Sequence, residues 1–289
     1  MDDELKHYIN QYMQEQNSRS IAGFEGYSPE EMHQLVYNPY SAASPLQVLQ
    51  PAEVVYEQCP IYRMAHYLLT YIQTSGEVKL TAKGYLPVKL VKELYDQGFI
   101  EEEHISLGIT KLYKEQDSLS INLTRNLLQI GGITKKRKGQ LSLTASGIQI
   151  LQKPHKLFES LLKTMTLRFN WGYYDAYENE YLGQTGFGFT FILIAKYGST
   201  KRTDDFYGEK YINAFPEFTE TIVPQYRSII EYLAHCYSIR TFERFMEYFG
   251  LIKLTKEGMR MERKHYIQKT EFFDQIIQIR PHQKTGSKG

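Results

Sequence analysis

Two cysteines in 289 residues, Cys59 and Cys236, are too few for a disulfide framework or a four-ligand zinc site, and neither stands in a Cys-x-x-Cys pair. That scarcity suits a reducing compartment and points to the cytoplasm. Long apolar runs are missing as well: the longest, Phe187 to Ala195, falls far short of the ~20 residues of a membrane span. No charged-then-apolar leader opens the chain. These absences give the expectation of a soluble, cytoplasmic protein with no membrane partner. Catalytic signatures are also absent. The eight histidines include no His-Glu-x-x-His pair, and Gly183-Gln184-Thr185-Gly186-Phe187-Gly188 lacks the Gly-Lys-Ser/Thr of a phosphate loop and the Rossmann spacing. That glycine cluster reads as a flexible turn. His235 beside Cys236 fails as a nucleophile pair, because adjacent helical residues point about 100° apart. No catalytic residue, metal ligand or cofactor is expected, so the chain reads as a non-enzyme.

What the chain does contain is a recurring signature, Leu-Thr-x-x-Gly, at Leu80–Gly84, Leu143–Gly147 and Leu254–Gly258. The middle copy has the clearest surroundings. Ser118 can cap a helix over Ser118 to Ile130, where Leu123, Leu127 and Ile130 recur at near-helical spacing, and Gly131-Gly132 stops it. Ile133-Thr134 and Gln140 to Thr144 then read as two strand arms around the basic tip Lys135-Lys136-Arg137-Lys138-Gly139. Thr144 or Ser146 can cap the next helix. Helix, basic hairpin, helix is a winged-helix order. The first copy follows a helix-like run from Ile61 to Gln73 and a strand at Glu77 to Thr81, and precedes a helix at Pro87 to Gln97. The third follows a helix-like run from Thr241 to Phe249, with Phe242, Phe245, Met246 and Phe249 on one face, and its wing is expected to be a stub. The signature itself reads as a strand-to-helix junction.

Charge is sorted along the chain although its net value is only +1. Residues 1 to 60 hold two basic and nine acidic residues, 61 to 170 sixteen and nine, 171 to 250 seven and eleven, and 251 to 289 nine and four. The alternation gives the middle of the chain a local positive field and supports three divisions. They are an acidic N-terminal helical segment and extended arm (1–59), a central winged-helix-type domain (60–168), and a C-terminal helical domain with a reduced winged-helix unit (169–289). Within the first, a helix from Glu4 to Gln16 carries Leu5, Tyr8, Ile9 and Tyr12 on one face, and Ser28-Pro29-Glu30-Glu31 is a capping-box helix start. Tyr40 to Gln50 reads as an extended arm. The polar tail from Pro281 to Gly289 is expected to lack fixed structure.

The run Gly84-Tyr85-Leu86-Pro87 after Leu80-Thr81, followed by the helix, Gly-Gly, basic hairpin and Leu143-Thr144-x-x-Gly147, resembles the C-terminal region of plasmid ORF-3-like proteins. Gly26-Tyr27-Ser28-Pro29-Glu30-Glu31-Met32-His33 also resembles a leader helix of bacterial proteins with this layout. The resemblance spans about residues 26–165. It implies a bacterial origin and winged-helix-like folding, and it carries no activity to transfer.

The expected fold is therefore α+β and mostly α: tandem winged-helix-type units, each a helix-turn-helix with a short hairpin, behind an N-terminal helical segment. In such a unit the helix before the wing enters a major groove and the wing follows the backbone. Ser120, Asn122, Thr124, Arg125 and Gln129 are the residues expected to face outward and meet bases or phosphates, and Lys135, Lys136, Arg137 and Lys138 to meet phosphates. Duplex DNA is the expected partner. The competing expectation is a scaffold protein that binds a protein partner or a second copy of itself. Its surface would be the acidic, aromatic stretch holding Trp171, Tyr173, Tyr174 and Tyr177, since Trp and Tyr dominate interface energetics.

Overall fold

The computed structural model describes residues 3–220, 228–258 and 264–282. The expected unstructured tail lies outside the described residues from position 283 on. The chain forms two compact units from interleaved segments: residues 1–49, 171–242 and 253–289 make one, and 50–170 with 243–252 the other.

The chain opens with α1 (Asp3–Ser18), none of whose residues is buried. The expected face of Leu5, Tyr8, Ile9 and Tyr12 is therefore uncovered. Helix α2 (Pro29–Tyr37) starts on the expected capping box, with Ser28 Oγ accepting from the Glu31 amide and the Glu31 carboxylate accepting from the Ser28 amide. The arm that follows contains β1 (Leu46–Val48), whose antiparallel partner lies more than 200 residues away in sequence, at Ile277–Ile279.

The unit of residues 50–170 and 243–252 begins with α3 (Pro60–Ser75), which buries Ile61, Met64, Ala65, Leu68, Leu69 and Ile72 at spacings of three and four. After it come β2 (Val78–Lys79), α4 (Val88–Asp96) and the short α5 (Glu103–Ser106). Helix α6 (Leu119–Ile130) has Ser118 as its cap, as expected, with Ser118 Oγ accepting from the Ile121 amide. Strands β3 (Thr134–Arg137) and β4 (Gln140–Leu143) form the expected hairpin. Helices α7 (Ala145–Leu151) and α8 (Pro154–Leu167) complete the run. The sheet order is β2-β4-β3, antiparallel throughout. Residues 243–252 join this unit through the Ile61 amide, which donates to the Tyr248 carbonyl at 2.9 Å, and through Phe249, whose ring meets Phe158 edge-on at 6.3 Å.

The middle signature glycine shows what the Leu-Thr-x-x-Gly pattern does here. Thr144 Oγ1 caps α7 by accepting from the Gly147 amide at 2.9 Å. A methyl group on Gly147 would fall on the backbone carbonyl of Ile133, which itself accepts from the Thr144 amide at 3.0 Å. Helix α7 is thus packed directly against the start of the β3–β4 hairpin. Alanine normally stabilises a helix by about 1 kcal/mol over glycine. Gly147→Ala should instead lose on the order of 3 kcal/mol in urea unfolding, because the clash is with backbone that cannot rotate away.

In the other unit, α9 (Phe187–Tyr197) is apolar on nearly every side and buried to match. The chain continues through β5 (Arg202–Thr203), α10 (Asp204–Ala214), α11 (Ile229–Tyr237) and a π-helix (Ser238–Met246), whose residues from Glu243 on belong to the unit of 50–170 and 243–252. It ends with β6 (Ile252–Glu257), β7 (Lys264–Lys269), α12 (Glu271–Ile276) and β8 (Ile277–Ile279). The sheet order is β5-β7-β6. Two expectations are corrected here. Where a stub is expected at the third copy, the chain forms two strands of six residues each. Nor is the third signature a strand-to-helix junction: Leu254 and Thr255 lie inside β6. The stretch read as an α-helix from Thr241 falls largely in the π-helix, which still buries Phe242, Phe245 and Met246 completely.

Many of the tyrosines pack inside this unit. Tyr211 stacks on Tyr237 at 4.4 Å, and Tyr237 meets Phe242 edge-on at 5.3 Å. Their hydroxyls have internal partners: Tyr211 donates to the Thr185 carbonyl at 2.6 Å, and Tyr237 lies 2.8 Å from Thr190 Oγ1. Burial pushes both phenols well above their ordinary 10.0. Glu25 shows the opposite direction. Burial alone would raise its pKa, but hydrogen bonds from Lys196, Lys210 and Tyr197 outweigh that and hold the carboxyl below its ordinary 4.5.

Candidate nucleic-acid interface

The β3–β4 hairpin displays its charge by simple geometry. Its two-residue loop is Lys138-Gly139, with φ of 50° and 75°, the left-handed pair that a type I′ turn requires. Glycine or asparagine is the usual first residue of such a loop. Here a lysine occupies it, keeping a cation at the tip where backbone preference would choose otherwise. Thr134 and Leu141 point into the unit and are buried. Lys135, Lys136, Arg137 and Lys138 are all exposed, and none is engaged in an ion pair with a described residue. All four expected phosphate-contacting residues therefore share one accessible tip.

Helix α6, before the hairpin, is different, and here the structure corrects the sequence reading. Ser120, Asn122, Thr124 and Arg125 do not face outward: each is less than a tenth exposed. Of the residues assigned to base or phosphate contact on α6, Gln129 alone is exposed. The physical cause is the 22-residue connection between α4 and α6, residues 97–118, which folds over the polar face of α6. Glu115, fully buried, accepts from Arg125 Nε and Asn122 Nδ2, both at 2.6 Å on Oε1, and from the Leu86 amide at 2.6 Å on Oε2. Glu102 covers the helix start, accepting from Ser118 Oγ at 2.7 Å and from the Leu119 and Ser120 amides at 2.9 Å, and from Ser120 Oγ. Thr124 Oγ1 donates to the Ser120 carbonyl at 2.8 Å. Arg125 also donates to Gln129 Oε1 and Asn126 Oδ1. Polar residues that look like a groove-reading face are the inner half of a buried network.

Residues 57–156, running from just before α3 into α8, match the family model of the Y4jL N-terminal domain. No curated protein and no solved structure matches the chain. The Y4jL-like stretch thus contains the hairpin, α6 and the acidic connection together, and the match brings an uncharacterised family of bacterial type. Glu102 and Glu115 are the residues the sequence reading missed. The available signal was a group of acids, Glu101, Glu102, Glu103, Glu115 and Asp117, upstream of a helix that carries Ser120, Asn122, Thr124 and Arg125, within a stretch whose net charge is positive.

The aromatic stretch in the other unit is also mostly internal. Trp171 is 2% exposed and cannot serve as a contact residue on the folded surface. Tyr177 packs edge-on against Tyr232 at 5.1 Å and lies under the Arg240 guanidinium at 5.8 Å. Tyr174 is partly covered, with Tyr173 edge-on at 5.0 Å. Among the four residues assigned to a partner, Tyr173 alone is mostly exposed, at 66%. The loop is held by Arg240, whose Nε and Nη2 donate to the Asp175 carboxylate at 3.0 and 2.6 Å. The nearby glycine cluster is not a loose turn either, since Gly183, Gly186 and Gly188 are all buried. Among the described residues, no helix is long and apolar enough to cross a membrane.

Proposed function

We propose that the protein is a non-enzymatic, cytoplasmic nucleic-acid-binding protein of bacterial type, built on tandem winged-helix units, and that its contact runs through the central wing rather than through the helix before it. The likeness to plasmid ORF-3-like proteins adds a link to mobile elements. The architecture is supported by a shared strand permutation. In the unit of residues 50–170 and 243–252, α3, β2, α4, α6, β3 and β4 follow one another with sheet order β2-β4-β3. In the other, α9, β5, α10, α11, β6 and β7 follow with sheet order β5-β7-β6. In both, the strand between the first two helices pairs with the last strand of the hairpin, as a winged helix requires.

One observation carries the function: four consecutive exposed cations on the hairpin tip, the first residue of its turn held at positive φ. Backbone contact by such a tip is salt-dependent, because each neutralised phosphate releases counterions. With three of the four engaged, affinity for DNA should fall about 20- to 40-fold between about 50 and 200 mM salt. Replacing Lys135, Lys136, Arg137 and Lys138 together by alanine should remove most of the binding and flatten that dependence, as read by fluorescence anisotropy. Undetectable binding of the parent at the lower salt would leave the protein-interaction reading in front. That second reading has its own support in the exposed Leu5, Tyr8, Ile9 and Tyr12 of α1 and in Tyr173.

A further inference from the structure

A groove of about 650 Å³ lies in the same unit as the wing, between the turn that leads from β2 to α4 and the stretch just before α6. That volume is in the range of ligand sites, about 300–1,000 Å³. Its lining is aromatic and cationic: Lys83, Tyr85 and Val88 come from the turn, and Tyr113, Lys114 and Gln116 from the stretch before α6, where Lys114 Nζ also lies 3.9 Å from Asp117 Oδ1.

The walls are tied together by side chains already engaged in the fold. The Leu86 amide donates to Glu115 Oε2 at 2.6 Å, and Gln116 Nε2 donates to the Tyr85 hydroxyl at 2.7 Å. The turn is closed by the Thr81 amide on the Tyr85 carbonyl at 2.8 Å. The Tyr113 and Lys114 amides both donate to Asp117 Oδ2 at 2.9 Å, which fixes the backbone beneath those two side chains. Tyr113 is nevertheless 66% exposed, a large aromatic surface held on a rigid turn. The Arg125 guanidinium lies 5.9 Å from the centre of the Tyr85 ring. The wing reaches this place too, because a methyl on Gly84 would fall on Lys136 Nζ. The groove and the basic tip therefore adjoin.

We propose that this groove binds single-stranded nucleic acid, with a base stacked on Tyr113 against the Tyr85 side, flanking phosphates held by Lys83 and Lys114, and the strand continuing toward Lys136 of the wing. The proposal rests on the nucleic-acid reading above and specifies which form is bound. Aromatic rings can stack only on bases that are already unstacked, and a positively charged groove tracks the backbone between them. A duplex offers this groove phosphates alone, and the burial of α6 removes the helix that would read its major groove.

The experiment is an anisotropy titration of the full chain with labelled oligothymidylate of about a dozen nucleotides and with a duplex of equal length. The variants are Tyr113→Ala, Lys83→Ala with Lys114→Ala, and the fourfold wing substitution. We expect the parent to prefer the single strand by about tenfold or more. Tyr113→Ala should weaken the single strand by about tenfold and the duplex by less than twofold, since one base stack is lost. Tyr113 and both lysines are exposed, so these variants should keep the parent's circular dichroism. Two results overturn the groove while sparing the nucleic-acid reading: parent-like single-strand binding by Tyr113→Ala and the double lysine variant, or equal affinity for both forms lost only with the wing. Failure of the parent to bind either form overturns both. A polyglutamate chain that competes as well as oligothymidylate overturns the base-stacking assignment, because it shares the charge and lacks the bases.

Discussion

Glu115→Ala should destabilise its unit by about 3–5 kcal/mol, because it strands a charge in the interior. Glu115 is completely buried and the Arg125 side chain is 9% exposed. Among the described residues their 2.6 Å contact is the guanidinium's one bond to a carboxylate, with Gln129 and Asn126 side-chain oxygens as further acceptors. The same carboxylate also satisfies Asn122 Nδ2 and the Leu86 amide, so alanine leaves two further donors without it. Glu115→Gln should cost less, because one oxygen remains to accept, but its amide nitrogen must then face a donor. The test that separates charge burial from general damage is Glu115→Met combined with Arg125→Met. Replacing both members by apolar side chains of similar length removes the stranded charge, and most of the loss should be recovered. Urea unfolding followed by far-ultraviolet circular dichroism reads all three. A double variant no more stable than Glu115→Ala would show that the acid acts through its tie to Leu86 instead.

The contrast between the wing and α6 shows what local sequence can and cannot reveal. The hairpin was legible because its determinants are neighbours: a glycine in the turn, four charges that cannot be buried without partners, and a threonine placed to cap the next helix. Helix α6 was legible as a helix for the same reason, through Ser118 and the Leu123, Leu127, Ile130 spacing. Its orientation was not, because the partners of Arg125 and Asn122 come from a connection with little regular structure of its own. A polar residue on a helix reads as solvent-facing unless a partner is known, and Glu115 sits ten residues from Arg125. The interleaving of the units was invisible for a related reason. Charge alternation places divisions near 60 and 170, whereas β1 pairs with a strand near the chain's end, and such pairing leaves no mark in either segment alone. The Leu-Thr-x-x-Gly signature recurs with different physical causes: Gly84 and Gly258 hold φ of 82° and 95°, whereas Gly147 is needed for close approach to Ile133.

Asp175→Ala should have a comparable effect in the other unit, again about 3–5 kcal/mol, and it decides what the acidic aromatic loop is for. Arg240 is 0% exposed, and burial alone would pull its pKa down. The hydrogen bonds that it donates to the Asp175 carboxylate outweigh that and hold its pKa above the ordinary arginine value. The bidentate pair is supplemented by Nη1, which donates to the Asn179 carbonyl at 2.6 Å and the Leu182 carbonyl at 3.3 Å, so one guanidinium gathers three points of the loop. Arg240→Lys should therefore also destabilise, by on the order of 2 kcal/mol, since an ammonium cannot reproduce the planar fork. Trp171, the single tryptophan of the chain, lies in this loop and is buried, so its fluorescence should shift to the red at lower urea in both variants. If the loop's acids served mainly to recruit a partner, Asp175→Ala would leave the unfolding midpoint unchanged and weaken only association. The geometry of Arg240 argues for the other outcome: the carboxylate that looked like surface charge is the counter-ion of a buried cation, and its removal should be felt in stability first.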